Sequence, residues 1–232
     1  MKSRIRKESI TVGVLLILSI VVGILSIDTL IDEPDNLSTI SKNATPILIR
    51  AFMQFILAVI YASIPIVLYS LLKKINNVLT IGFLVFRMTT VVFILIGWLS
   101  ILLIVDLGQE FTKAGSSETS HFYTIDTLLR SARDLINHVA MPLIISVGNL
   151  IFYYILYQSK LVPRWLSLWG LSATVLSSVV ASFLLMFNAI NIITPAYIAL
   201  AFPTALLEIV LAVWLITKGF NTNVIDAIAE KE

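Results

Sequence analysis

Arg87, Asn149 and Glu208 each stand near the middle of a long apolar run, where polar side chains are rare. A charged side chain at the centre of a membrane helix costs roughly 2.5–3.5 kcal/mol on insertion scales, so such residues turn toward a protein interior and mark candidate sites. Arg87 lies nine residues past the start of its run at 78, Glu208 nine before the end of its run at 217, and Asn149 eight before 157. At about 1.5 Å per residue, all three come to roughly 12–14 Å from the same membrane boundary. The matched depth predicts an ion pair between Arg87 and Glu208, with Asn149 meeting a leftover donor or acceptor. Such a pair is either a structural clasp between two helices or the lining of a cavity, where Arg87 holds an anionic or polar group or Glu208 carries protons.

A second polar set opens another run. Arg130, Asp134 and His138 form an i, i+4, i+8 row flanked by Arg133 and Asn137. A carboxylate beside an imidazole orients it and raises its basicity, so Asp134 and His138 are the nearest approach to a general-base pair, with Arg133 as an anion holder. Pro142 stands four residues after His138 and frees the His138 carbonyl from its helix bond, and Gln54, Arg50, Asn188 and Asn191 could complete a polar pocket there. The plainer reading is that Arg130 and Arg133 snorkel to the boundary and that Asp134 and His138 are satisfied polar contacts.

Other chemistries find no support. The two histidines, His121 and His138, stand in no metal-ligand spacing, and the chain has no cysteine, so no metal site is expected. No serine stands in a G-x-S-x-G elbow and no phosphate-binding glycine loop occurs, so no catalytic motif is recognised and no cofactor is expected. Pro65 and Pro203 interrupt apolar runs; Pro203 frees the Ala199 carbonyl and bends its helix just outside Glu208. Phe152, Tyr153, Tyr154 and Tyr157 read as packing and interface anchors.

The elements that must carry these residues follow from composition. The chain is 58% hydrophobic and 13% charged, with a mean hydropathy of +0.97. Water-soluble domains are about 25% charged and 45–50% apolar, so this chain is an all-α integral membrane protein and neither a soluble enzyme nor a disordered one. Six runs are long enough to span about 30 Å of hydrocarbon: 10–27, 46–72, 78–105, 130–157, 165–187 and 196–217. They leave no room for a separate soluble domain, so residues 1–232 read as one transmembrane domain. Run 10–27 exceeds a signal-peptide core and reads as a retained helix. A short surface helix over 119–129, with Phe122, Ile125 and Leu129 at helical spacing, feeds the fourth span.

Lys and Arg set the orientation. With the N-terminus inside, the inner segments carry Lys2, Arg4, Arg6, Lys7, Lys73, Lys74, Lys160, Arg164, Lys218 and Lys231, against Lys42 and Lys113 outside. That asymmetry predicts both termini inside. The outer loop 28–45 holds two N-x-[ST] sequons, at Asn36 and Asn43. A net charge of +2 and the lack of an aromatic-interleaved basic run make no case for nucleic acid. Membrane lipids are the expected surroundings, and no inverted repeat of the kind many transporters carry is visible.

The stretch Leu161-Val162-Pro163-Arg164-Trp165-Leu166-Ser167, then Trp169-Gly170, resembles the inner loop and fifth-span start of the bacterial family called domain of unknown function 4386. Phe86-Arg87, Ala132-Arg133-Asp134, and the closing segment from Pro203 through Glu208 and Trp214-Leu215 to Lys218-Gly219-Phe220-Asn221 resemble further motifs of that family. The resemblance covers about residues 8–222 and implies a six-span bacterial plasma-membrane protein, with no activity attached. In that family a glutamate often stands three residues after the third-span arginine, where this chain has Thr90. The departure implies that Arg87 depends more on Glu208.

The functional expectation is binding or passage of a small amphipathic or polar molecule at an intramembrane site of Arg87, Asn149, Glu208 and Arg133. The alternatives are an intramembrane enzyme acting on a lipid or lipid-linked substrate through Asp134 and His138, or an accessory subunit serving a protein partner. Arg164 beside Trp165 reads either as an interfacial anchor for lipid phosphate or as a residue with a specific role.

Overall fold

The computed structural model describes residues 2–32, 37–115, 119–192, 194–221 and 223–224; Glu33, Asp35, the sequon residue Asn36, Glu118 and Lys231 lie outside them. Every regular element among these residues is helical: α1 Lys2–Leu25, α2 Thr29–Asp32, α3 Leu37–Lys42, α4 Ala44–Leu72, α5 Asn77–Lys113, α6 Thr119–Leu135, α7 Met141–Ser159, α8 Arg164–Thr174, α9 Ala181–Met186 and α10 Pro195–Thr217. A π-helical turn over Ile136–Ala140 joins α6 to α7, and another over Val175–Val180 joins α8 to α9. Six continuous helices are therefore long and apolar enough to cross a membrane: Ser3–Leu25, Ala44–Leu72, Asn77–Lys113, His121–Ser159, Arg164–Met186 and Pro195–Thr217. The chain is a polytopic helical membrane protein.

Local signals account for the helix ends. Asn76, in extended conformation, accepts from the Leu79 N–H at 3.0 Å and starts α5. Lys160 closes α7 in the left-handed region at φ 57°, where its N–H still reaches Leu156 O at 3.0 Å, and Pro163 opens α8. Pro195 occupies the first turn of α10, behind Thr194. The helix expected over 119–129 is present as α6, and it runs unbroken into the fourth span.

Neighbouring spans are neighbours in space. α1 packs against α4 and α10, α4 against α5, α5 against α7, α7 against α8, and α8 against α10, so the six spans close into a ring in chain order. One apolar core, with Val12, Leu16, Ile64, Leu68, Phe83, Phe152, Leu156, Leu166, Leu207 and Leu211, draws on all six. A smaller one around Ile31, Ile40, Ile47, Ile101 and Ile104 lies toward the other end. At 37 residues α5 is about 55 Å long, well beyond the hydrocarbon layer. Its last turns meet α3 and α6 outside that layer, where Phe111 stacks edge-on to Phe122 at 5.6 Å.

Ring closure rests on the first turns of α1. Sequence reading begins that span at residue 10, but the helix starts at Lys2 because Arg6 and Ser9 bind the end of α10. Arg6 donates to the carbonyls of Leu215 (3.2 Å), Ile216 (2.6 Å) and Thr217 (3.3 Å), and Ser9 Oγ to Leu215 at 2.9 Å. A cation on otherwise unpaired C-terminal carbonyls also balances the helix dipole. Ser70 Oγ donates to Glu8 Oε1 at 2.9 Å, and the Asn221 N–H to Leu161 O at 2.9 Å. The ends of α4, α7 and α10 and the starts of α1 and α8 therefore share one end of the bundle, which gathers Arg4, Arg6, Lys7, Lys73, Lys74, Lys160, Arg164 and Lys218.

Gly13 sets how closely α1 and α10 approach: a Cβ there would lie 2.7 Å from Ile216 Cγ1 and 2.8 Å from the Ala212 carbonyl oxygen. A backbone oxygen cannot step aside, so Gly13→Val is expected to destabilise the protein by about 1–3 kcal/mol. Gly23→Val, with nothing within 4 Å of the new Cβ, is expected to be near neutral. Thermal unfolding of both variants in detergent, followed by tryptophan fluorescence, checks the contrast.

Candidate functional site

The mid-membrane site is built on α5. Phe83 and Arg87 are one helical turn apart, which places the guanidinium carbon 5.6 Å from the Phe83 ring centroid. The Tyr61 ring of α4 flanks it at 5.4 Å. Such ring faces attract a desolvated cation by up to about 2 kcal/mol. From α7, Asn149 Oδ1 accepts a 2.7 Å hydrogen bond from Arg87 Nη2. Gly148 keeps α5 and α7 close at this level: a Cβ there would lie 3.3 Å from Phe86 Cβ and 3.7 Å from Arg87 Cγ. Arg87 is only 5% exposed and Asn149 6%, and Arg87 Nε is buried without an acceptor.

Glu208 of α10 lies at the depth its sequence position implies. It does not form the ion pair with Arg87 that the depth match predicts; Asn149 takes the guanidinium's short bond instead. Glu208 is nevertheless within electrostatic range of Arg87, and Tyr61 and Tyr153 are within range of both. Among the described residues the side chains of Tyr61, Tyr153 and Glu208 make no hydrogen bond. Four spans thus converge on one set of polar groups: a guanidinium held by one amide and two rings, a carboxylate, and two phenols. Sequence reading missed Tyr61 and Tyr153, which it took for packing residues or passed over. The available signal was depth, since Tyr61 lies eleven residues before the end of α4 at Leu72.

The outer set is divided differently from its sequence spacing. Arg130 pairs with Asp126 at 2.7 Å, and Asp134 Oδ1 accepts from Arg133 Nε at 3.0 Å and Nη2 at 2.7 Å. His138 Nδ1 lies 2.9 Å from the Tyr197 hydroxyl of α10, the two rings edge-on. Asp134 makes no hydrogen bond to His138, so the pair a general base requires is not assembled here. Arg50 is drawn to Asp28 at 3.1 Å, and Gln54 Nε2 reaches Asn137 Oδ1 at 3.5 Å. Among the described residues no group of three metal-ligating side chains occurs.

Backbone carbonyls close to the two prolines link the outer and middle levels. The turn ahead of Pro142 widens into the π segment, where the Met141 N–H bonds to Ile136 O, and the His138 carbonyl accepts from Ser182 Oγ at 3.2 Å. Ahead of Pro203, Leu200 O accepts from Ser177 Oγ at 2.5 Å, and Thr204 Oγ1 donates to Ser177 Oγ at 2.7 Å. Tyr197, Thr204 and Glu208 follow one another along a face of α10. A seam of hydroxyls therefore descends between the fifth and sixth spans from His138 toward Glu208.

Asn149→Leu is expected to cost about 2–4 kcal/mol by leaving a buried guanidinium without its short bond. The double variant Arg87→Met/Asn149→Leu is expected to be more stable than Asn149→Leu alone, because the unpaired charge goes with its partner. Denaturant unfolding in micelles of both single variants and the double checks this; strictly additive losses would show that the bond carries no coupling.

None of the curated proteins and none of the solved structures matches the chain. The family described as Domain of unknown function (DUF4386) matches residues 11–219. That match takes in the first span from residue 11 onward, the other five spans whole, and every residue of the mid-membrane site. The chain belongs to the DUF4386 family of multi-pass helical membrane proteins.

Proposed function

We propose that the protein binds, or passes, a small polar or amphipathic molecule between Arg87 and Glu208. One observation carries the reading: Tyr61, Tyr153 and Glu208 lie within electrostatic range of Arg87, yet none of the three makes a side-chain hydrogen bond among the described residues, and Arg87 Nε is buried without an acceptor. A buried donor left unmet in hydrocarbon costs several kcal/mol, which applies to Arg87 Nε, while Tyr61 and Glu208 are half-buried and open to a ligand. A ligand bridging guanidinium and carboxylate, with phenols at its flanks, meets all of them. Arg87 offers paired donors for an anionic or carbonyl group, and Glu208 accepts from a hydroxyl or amine on the same molecule.

The hydroxyl seam between the fifth and sixth spans supports a polar route to this level from the end of the bundle that carries His138. The gathering of Lys and Arg at the opposite end supports an orientation with both termini in the cytoplasm, and with it residence in a bacterial plasma membrane.

Native mass spectrometry of the gently purified protein tests the reading. Wild type is expected to retain a molecule that is neither solvent nor detergent, and the Arg87→Met/Glu208→Leu variant to lose it while keeping its fold. A ligand-free mass for both, with the variant folded, would make the two residues a structural clasp.

A further inference from the structure

A separate groove of about 520 Å³ opens at the basic end of the bundle, between the turn after α7 and the segment after α10. Its floor is apolar: Leu161 and Phe220 are buried at 0% and 4% exposure and belong to the main core. Two chain reversals create it. Lys160 turns in the left-handed region, Gly219 at φ 77°, and the bond from the Asn221 N–H to Leu161 O ties the two turns together. Its rim carries Lys160, Arg164 and Lys218 with the indole of Trp214, which stands one turn before Lys218.

The three cations of the rim are exposed, and their side chains make no hydrogen bond or ion pair among the described residues. Arg164 is steered by Tyr157, whose ring centroid lies 5.3 Å from its guanidinium carbon. Among the described residues no acidic side chain lines the groove. The end of α10 would oppose an anion through its carbonyls, but Arg6 already covers those of Leu215, Ile216 and Thr217. Apolar floor, tryptophan at the lip and convergent cations together match one chemistry: a phosphate group on an apolar stem at the membrane boundary.

We propose that this groove binds the headgroup phosphate of one anionic phospholipid, with Arg164 and the two lysines on the phosphate and Trp214 beside the glycerol and upper acyl chain. The site is independent of the one at Arg87 and Glu208. Each basic residue near an anionic surface contributes about fivefold in affinity, so removing all three is expected to weaken retention on the order of a hundredfold.

Lipid retention in native mass spectrometry tests this, with phosphatidylglycerol or phosphatidylcholine titrated into micelles of the full chain. Wild type is expected to keep one phosphatidylglycerol in preference to phosphatidylcholine, and Lys160→Gln/Arg164→Gln/Lys218→Gln to lose that preference. A control with equal charge removed at the same end but outside the groove, Lys7→Gln/Lys73→Gln/Lys74→Gln, is expected to keep it. Equal loss in both triple variants would reduce the effect to diffuse attraction and overturn the site. So would equal retention of the two lipids, while full displacement by millimolar inorganic phosphate would reassign the groove to free phosphate. Trp214→Ala, which leaves every charge in place, is expected to weaken retention several-fold; no change there would also count against a lipid.

Discussion

A guanidinium in the middle of a hydrocarbon layer has to be held from several sides at once, and that requirement organises this bundle. Arg87 has no water to fall back on and is too deep to snorkel, so α4, α5 and α7 bring it two aromatic faces and an amide. The glycine beside Asn149 and the tight α5–α7 approach follow from the same need. Hydrophobic attraction does not drive helices together inside lipid, so such specific contacts and close packing decide which spans meet. The placement of Glu208 near this charge, without contact, leaves the polar set incomplete within the protein itself.

The prolines show how local defects are turned to use. Each removes a helix bond and releases a carbonyl, which in hydrocarbon must find another donor. Near Pro142 the donor is Ser182 of the fifth span, on the released His138 carbonyl, while Ser177 of the same span bonds the Leu200 carbonyl, next to that of Ala199 which Pro203 releases. The fifth span itself widens into a π turn at Val175–Val180, which contains Ser177 and precedes Ser182. Insertion of an extra residue into a helix re-aims the side chains after it, and such turns recur at functional positions. The polar seam thus arises from backbone irregularities in three adjacent spans.

Much of this architecture was legible in the sequence, because the signal that sets it is strong. Apolar runs located the ends of five spans to within about three residues at the basic end of the bundle, since lysine and arginine cannot follow the chain into hydrocarbon. Hydropathy was blind where helices leave the membrane. The last turns of α5 and all of α6 are held by α3 and by aromatic contacts, not by lipid, and the first turns of α1 by hydrogen bonds to α10. For the site, depth arithmetic found Arg87, Asn149 and Glu208 but misassigned the short bond, because depth says nothing about rotation around a helix axis. The outer row failed for a related reason: Arg133 reaches Asp134, its neighbour in sequence, and Tyr197, from another span, reaches His138.

The closure of the ring has a consequence for biosynthesis. Spans are delivered to the membrane in order, and each of the first five can pack on its predecessor as it arrives. The wall between α1 and α10 forms only when the last span is in place, and that span carries Glu208. Until then Arg87 and its aromatic flanks face an open side of the bundle, and the carbonyl cap offered by Arg6 has nothing to bind. Assembly of the cap, completion of the ring and arrival of the carboxylate are therefore a single late event, so a chain stalled after five spans holds the cation without its counter-charge.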